Sequence, residues 1–256
     1  MPVSGLPAGV DLRELHGPQE LTQAEDLQLL VWGGSERDVF PRDALLAVAH
    51  IGGLVAGALQ GTQLVGLVVG LPTAQPQVQH SHMLAVHPDW RGTGLAGRLK
   101  GYQRDWCAAR GITHVEWTYD PLRALNAHFN IHRLGAGART YLDNFYGEMG
   151  GINAGLPSDR LVAVWPLTAP PARHPGPGAL PAVNDPDTGT LHGNLPPEDA
   201  LRLHIPADLP HLLTHAPSQA LHWRLQTRRG FHTLFGAGYA VTDFLRGERP
   251  AYVLTR

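Results

Sequence analysis

Cysteine and lysine are almost missing from this chain of 256 residues. The single cysteine, Cys107, has no partner in the chain for a disulfide, so we expect it to be a small core residue. Lys100 is the one lysine among 20 basic residues, and 22 acidic residues bring the formal net charge to -2. This charge gives no general attraction to nucleic acid or to an anionic membrane, so we expect neither as a partner.

Long apolar runs and several familiar motifs are also missing. No stretch approaches the roughly 20 apolar residues of a membrane span, and no secretory signal begins the chain, so we expect a cytoplasmic protein. The chain lacks G-x-G-x-x-G, G-K-[ST] and H-E-x-x-H. His211 and His215 lie one helical turn apart without that glutamate, and we expect no functional metal.

The apolar residues that are present predict an α/β chain in which the strands between residues 53 and 86 form an antiparallel meander. Helical periodicity covers 18–31, 41–50, the segment after Gly94, 121–134 and 208–235, and strand patterns cover 10–14, 53–72 with a turn at 60–63, 78–86, 112–119, 159–167 and two C-terminal runs. In the helix after Gly94 the predicted apolar face holds Leu95, Leu99, Tyr102 and Trp106, and Lys100 points elsewhere.

The segment "HPDWRGTGLAG" (87–97) places two glycines between a predicted strand and a predicted helix. Glycine at positions 92 and 94 lets the backbone approach a ligand closely, and the unpaired amides at a helix start bind phosphate without a cationic side chain. A plain turn between two elements is the competing interpretation. The residues alone leave both open.

The run "MLAVHPDWRGTGLAGRL" resembles the acyl-CoA-binding motif of the GNAT N-acetyltransferase superfamily, with Arg91, Gly94 and Ala96 at the motif positions. The order of elements over about residues 8–167 is also similar to that family, and the resemblance implies a mixed, mostly antiparallel central sheet flanked by helices, with a smaller C-terminal α+β unit. The resemblance implies acetyl-CoA or another acyl-CoA as co-substrate, with the CoA pyrophosphate on the loop amides. The CoA-contacting residues that it implies are Leu84, Ala85, Val86, Arg91, Gly92, Thr93, Gly94, Leu95, Ala96 and, for the pantetheine arm, Asn126.

The resemblance also implies direct attack of an amine on the thioester in a ternary complex, with a base on the strand before the loop. Strict alternation puts His80, His82, Leu84 and Val86 on one face of that strand and Ser81, Met83 and Ala85 on the other. His82 is the first candidate base and His80 the second, while Glu116 on the next strand is a further candidate. A structural role for each is the alternative.

One family feature is missing, because Ile131 stands where many relatives carry a tyrosine that protonates the CoA thiolate. Tyr146 is a candidate substitute, and Tyr141 and Tyr119 are others that the sequence does not rank against it. The chain is also similar to a bacterial branch of the superfamily that carries segments such as "NFYG" and "NAGLPSDRL", some members of which are associated with N-acylation of amino acids, including from succinyl-CoA.

We expect an acyltransferase domain over 1–168, a Pro/Gly-rich linker over 169–197 and a C-terminal helix and β-hairpin unit over 198–256 that docks on the first domain or on a partner subunit. Such docking would bring Arg224, Arg228 or Arg229 to an acceptor carboxylate or to the CoA 3′-phosphate. The favoured function is acyl-CoA-dependent N-acylation of a small amine or amino acid. The alternatives are acetylation of a protein N-terminus or lysine and acyl-CoA binding without catalysis; the oligomeric state, a homodimer included, stays open.

Overall fold

The computed structural model describes residues 9–151, 154–168 and 180–256, which divide into two compact units. Unit 1 holds residues 9–117 and 150–151, and unit 2 holds residues 118–149, 154–168 and 180–256. Part of the expected linker, 169–179, lies outside the described residues. The functional division at residues 168 and 198 stays a prediction.

Unit 1 is built from strands and helices that follow the apolar pattern closely. Its elements are β1 (Val10–Glu14), α1 (Gly17–Trp32), α2 (Arg42–His50), β2 (Leu54–Gln60), β3 (Gln63–Pro72), β4 (Val78–Val86), α3 (Leu95–Ala108) and most of β5 (His114–Tyr119). The strands lie in the order β1-β2-β3-β4-β5, and all neighbours are antiparallel except β4 and β5. The expected mixed, mostly antiparallel sheet is confirmed.

The main core of unit 1 lies between this sheet and helices α1 and α2. It is formed by aliphatic side chains that are almost fully buried: Leu15, Leu21, Ala24, Leu27, Leu45, Val48, Val55, Leu59, Leu64, Leu67, Val69 and Ala85. Helix α3 packs against β3 and β4 through Leu95 and Leu99, which are 1% and 0% exposed. Cys107 is also buried in α3, as the sequence predicts.

Unit 2 contains α4 (Ala124–Ala127), β6 (Gly137–Leu142), β7 (Arg160–Pro166), β8 (Ala200–His204), α5 (Leu209–His215), α6 (Pro217–Gly236), β9 (Ala240–Leu245) and β10 (Ala251–Thr255). Its strands lie in the order β7-β6-β9-β10-β8, and each neighbouring pair is antiparallel. Aromatic rings form its centre: Tyr252 contacts Phe231 at 5.1 Å and Phe244 at 4.9 Å between ring centroids.

Two expected helices differ in the structure. The helix expected over 121–134 begins at Ala124, and after one turn it widens into a π-helix over His128–Arg133. The helix expected over 208–235 is two helices, because Pro217 has no amide hydrogen to continue α5 into α6. Strands β6 and β8 were not expected. Among the described residues, no helix is long and apolar enough to cross a membrane.

Candidate active site

The glycine turn before α3 leaves a row of backbone donors free. Gly92 and Gly94 have φ angles of 80° and 87°, a conformation that favours glycine. Gly94 caps α3, but no side chain caps the amides of its first turn, and the first amide bond into the helix is from Arg98 to the Gly94 carbonyl at 3.2 Å. Within the described chain the amides of residues 92–97 have no acceptor. They form an anion-binding helix terminus.

Strand β4 leads to this turn and parts from its parallel neighbour along the way. β4 pairs with β5 only at Val78, Gln79 and His80, opposite residues 114–116. The β5-facing backbone edge of Leu84, Ala85 and Val86 is therefore not paired with β5. An extended ligand chain can add to such an edge by main-chain hydrogen bonds.

A β-bulge at His82 changes the expected faces of β4. Val69 of β3 pairs with Met83 and Gly70 with Ser81, so His82 is the extra residue. The Ser81 hydroxyl bonds to side chains of α3, whereas Met83 and Ala85 belong to the α1 and α2 core. The prediction that Ser81, Met83 and Ala85 share one face is therefore wrong, because a bulge reverses the alternation.

The structure brings the three predicted proton acceptors of unit 1 together. The rings of His80 and His82 lie 6.4 Å apart, and His80 is directly opposite Glu116 in the β4–β5 register. His82 also packs on Phe40 at 4.7 Å between ring centroids. Burial lowers the pKa of both histidines below the usual 6.5, and for His82 the nearby His80 lowers it further. Both rings are thus neutral at neutral pH and able to accept a proton.

A buried lysine on α3 was missed by the sequence analysis. Lys100 is 2% exposed, so the prediction that it points away from the apolar face is wrong. Its ammonium donates to Ser81 Oγ at 2.8 Å and to Gln103 Oε1 at 2.9 Å, and it lies 3.9 Å from the centre of the Trp117 ring. Two hydrogen-bond acceptors and one aromatic ring, from three different elements, explain how the amine fits there, and burial lowers its pKa to about 7.

The remaining predicted site residues lie in unit 2. Tyr146 is 48% exposed, and its hydroxyl is 3.0 Å from Thr118 Oγ1 on β5. Asn126 is exposed on α4. Ile131 is 2% exposed, so it packs in the core and offers no hydroxyl. Tyr141 donates to the Asp159 carboxylate at 2.8 Å and Tyr119 to the Tyr252 hydroxyl at 3.2 Å, which leaves Tyr146 the most exposed of the three phenols.

Two of the three arginines considered for an acceptor carboxylate are engaged inside unit 2. Arg224 is 1% exposed and donates to Asp120 at 2.7 Å. Arg228 holds both oxygens of Asp159, at 2.6 and 2.9 Å. Both arginines are thus paired with carboxylates of unit 2, and a role for either one toward a substrate stays a prediction. Arg229 lines a cavity of about 300 Å³ with Leu191 and Gly230.

Clusters that could bind a metal are absent from the part of the chain that the structure describes. No group of three or more His, Cys, Asp or Glu side chains there could hold an ion. His211 and His215 stack on each other at 4.2 Å between ring centroids, and the His215 Nδ1 lies 3.0 Å from the His211 carbonyl.

Comparison with known proteins agrees with this geometry. Residues 19–134 match the model of the acetyltransferase (GNAT) family. A search of curated proteins gave no match. Many solved structures are similar in fold.

Three of these structures have TM-scores between 0.50 and 0.52 with this chain. The ribosomal-protein-S18-alanine N-acetyltransferase from Escherichia coli has a TM-score of 0.52 and 15% identity over 63% of this chain and 96% of that chain. Aminoglycoside 6′-acetyltransferase type Ii has a TM-score of 0.51 and 19% identity over 63% of this chain and 99% of that chain. Naa50 of Arabidopsis thaliana, in complex with a bisubstrate analogue, has a TM-score of 0.50 and 15% identity over 61% of this chain and 98% of that chain.

The matched segment covers β2 to β5 and the helices around them, and it includes the glycine turn at the start of α3. Residues 19–134, a little under half of the chain, therefore form a domain that matches the acetyltransferase (GNAT) family.

Proposed function

We propose that the chain is an acyl-CoA-dependent N-acyltransferase that transfers an acetyl or succinyl group to a small amine or amino acid. The observation that carries this proposal is the run of unpaired amides at residues 92–97, next to the open edge of β4. A diphosphate matches such donors in charge and in geometry. The edge at Leu84, Ala85 and Val86 suits an extended amide-bearing chain, so the residues present fit CoA.

The acyl thioester supplies an activated carbonyl when it is bound. An amine attacks it only after losing its extra proton, so the acceptor needs a base that is neutral before the reaction. His82 fills this role, with His80 as the second choice and as a neighbour that keeps the His82 pKa low. Glu116, opposite His80 in the β4–β5 register, is the further candidate for accepting the amine proton.

The leaving thiolate requires less assistance than the amine. A free thiol has a pKa of about 8.5, so the thiolate leaves readily near neutral pH. Tyr146 is the proton donor that we assign to this step, because its phenol is exposed and lies against Thr118 at the end of β5. The amine proton thus goes to His82, and the thiolate receives its proton from Tyr146 or from water.

Two alternatives follow from particular observations. The similar structures include a ribosomal-protein-S18-alanine N-acetyltransferase, an aminoglycoside 6′-acetyltransferase and Naa50 in complex with a bisubstrate analogue, so the fold is compatible with a protein acceptor. The buried Ile131 at the place of the family tyrosine favours an acyl-CoA-binding protein without catalysis.

A matrix of donors and acceptors tests the proposal. Acetyl-CoA and succinyl-CoA are each combined with amino acids of both configurations, their decarboxylated amines, aminoglycosides and short peptides, while thiol release and product mass are recorded. We expect acceptor-dependent thiol release and an N-acylated small product. Acylation of peptides alone would assign a protein acceptor, and acyl-CoA binding without thiol release would assign the binding protein.

A further inference from the structure

A buried arginine without a counter-ion lies in unit 2. Arg160 begins β7 and is 6% exposed. Its guanidinium donates to the Asp159 carbonyl at 2.9 Å and to the Met149 sulfur at 2.8 Å. A thioether is a weak acceptor, and neither partner carries a charge. Arginine is rarely buried in this way unless it is paired.

The nearby carboxylates do not supply the missing charge. Asp120 pairs with Arg224, and Asp159 gives both oxygens to Arg228. Within the described ranges, no carboxylate oxygen lies within 4 Å of Arg160. Burial lowers the pKa of Arg160, although Asp120 and Asp159 raise it from a distance. The guanidinium nevertheless stays charged, because arginine does not lose its proton in proteins, and a buried charge needs a partner.

An exposed aromatic residue lies beside this arginine. The Arg160 guanidinium lies 5.1 Å from the centre of the Tyr146 ring, and Tyr146 is 48% exposed. The Tyr146 hydroxyl is 3.0 Å from Thr118 Oγ1. An incoming anion would therefore meet a fixed guanidinium beside two hydroxyl groups.

The loop that carries Tyr146 is held in place before any ligand arrives. Ser158 Oγ accepts the Tyr146 amide at 2.9 Å, and Asn144 Oδ1 accepts the Ser158 amide at 3.0 Å. Asn144 has a positive φ of 44°, and its amide donates to Asp159. Asparagine tolerates this left-handed conformation better than most residues. These bonds fix Tyr146 and Arg160 relative to each other, as a binding site requires.

We propose that Arg160, with Tyr146 beside it, binds a substrate carboxylate. The planar guanidinium matches a carboxylate by two parallel hydrogen bonds. This inference rests on the proposed acyltransfer, which offers two sources for the carboxylate: the α-carboxylate of an amino-acid acceptor or the terminal carboxylate of a succinyl donor.

The test uses the full-length protein and two matched pairs of substrates. The acceptor pair is the amino acid with the highest turnover in the acceptor matrix and its decarboxylated amine, and the donor pair is succinyl-CoA and acetyl-CoA. We expect the wild type to favour the carboxylate-bearing member of one pair by roughly 10- to 100-fold in kcat/KM, the range of a charged hydrogen bond. The pair that shows the preference identifies the source.

Variants then assign the preference to Arg160. Arg160→Gln should lower kcat/KM for the carboxylate-bearing substrate 10- to 100-fold more than for its partner, mainly through KM, and Arg160→Lys should restore part of the ratio. Arg139→Gln, an exposed arginine on β6 of the same unit, is the control and should keep the wild-type ratio.

Failure of the inference differs from failure of the proposed function. A wild type that acylates no acceptor contradicts the acyltransferase. A wild type that turns over but shows no preference in either pair contradicts the carboxylate site without any variant, so a misfolded Arg160→Gln does not block the test. A folded Arg160→Gln with both wild-type ratios intact contradicts the role of Arg160.

Discussion

Replacement of the buried lysine should change how the stability of unit 1 depends on pH. In Lys100→Met the apolar side chain keeps nearly the same length over Trp117 and removes the ammonium. The partners are not left unsatisfied, since the Ser81 hydroxyl already lies 3.2 Å from Gln103 Oε1 as a donor and the Gln103 amide donates to Gln79 at 2.7 Å. The substitution thus removes a charge and little else.

The magnitude follows from the lowered pKa of Lys100, which moves from 10.5 in the unfolded chain to about 7 in the folded protein. Each pKa unit corresponds to 1.36 kcal/mol, so protonation disfavours the folded state by about 5 kcal/mol in acid. Between these two pKa values the unfolded chain binds more protons, and stability therefore rises with pH. The gain from pH 7 to pH 9 is about 2 kcal/mol by this linkage.

Denaturant unfolding at pH 7, 8 and 9 measures this directly. The difference in free energy of unfolding between Lys100→Met and the wild type should shrink by about 2 kcal/mol over this range, or about 4–8 °C in Tm. Cys107 does not interfere, because burial raises the pKa of its thiol to about 12. Arg104→Met on the exposed side of α3 is the control and should follow the wild-type curve. Parallel curves for Lys100→Met and the wild type would refute the reasoning.

Two further predictions concern the base and the C-terminal elements. His82→Ala should lower turnover by roughly 10²-fold with acyl-CoA affinity retained. In the wild type the acid limb of the kcat/KM profile lies below pH 6.5, because burial lowers the His82 pKa, and this limb should change in the variant. Equal turnover of the variant and the wild type from pH 5 to 9 would return His82 to a structural role. A chain that ends at Thr168 should aggregate, because loss of Arg228 leaves the fully buried Asp159 carboxylate without its cation at a cost of about 3–5 kcal/mol. Size-exclusion chromatography and circular dichroism would show this, whereas a monodisperse folded product would contradict it.

The sequence predicted the elements whose period is regular. Strands β2, β3 and β4 and helices α1, α2 and α3 were located to within one or two residues, because their apolar residues repeat at strand or helix spacing. The glycine turn was located as well, since Gly92 and Gly94 mark a conformation that few other residues adopt.

Features that depend on partners distant in sequence could not be predicted. The bulge at His82 arises from the register with β3, which a single strand does not reveal. The burial of Lys100 depends on Ser81, Gln103 and Trp117, of which only Gln103 lies on the same helix.

The carboxylate partners of the C-terminal arginines were missed for the same reason. Asp120 and Asp159 lie 104 and 69 residues before Arg224 and Arg228. A signal for Arg160 was present in the segment "NAGLPSDRL", where an arginine opens an apolar strand run, but its burial is visible only in the fold.

Calorimetric titration of acetyl-CoA into the full-length protein tests the central claim most directly. We expect saturable binding of one acetyl-CoA per chain, and at least tenfold weaker binding to Gly94→Pro, because proline removes an amide donor and cannot adopt the φ of 87°. Gly101→Ala within α3, where an added methyl group meets nothing within 4 Å, is the control and should bind like the wild type. Absence of binding to the wild type, or equal affinity for a folded Gly94→Pro, would contradict the account.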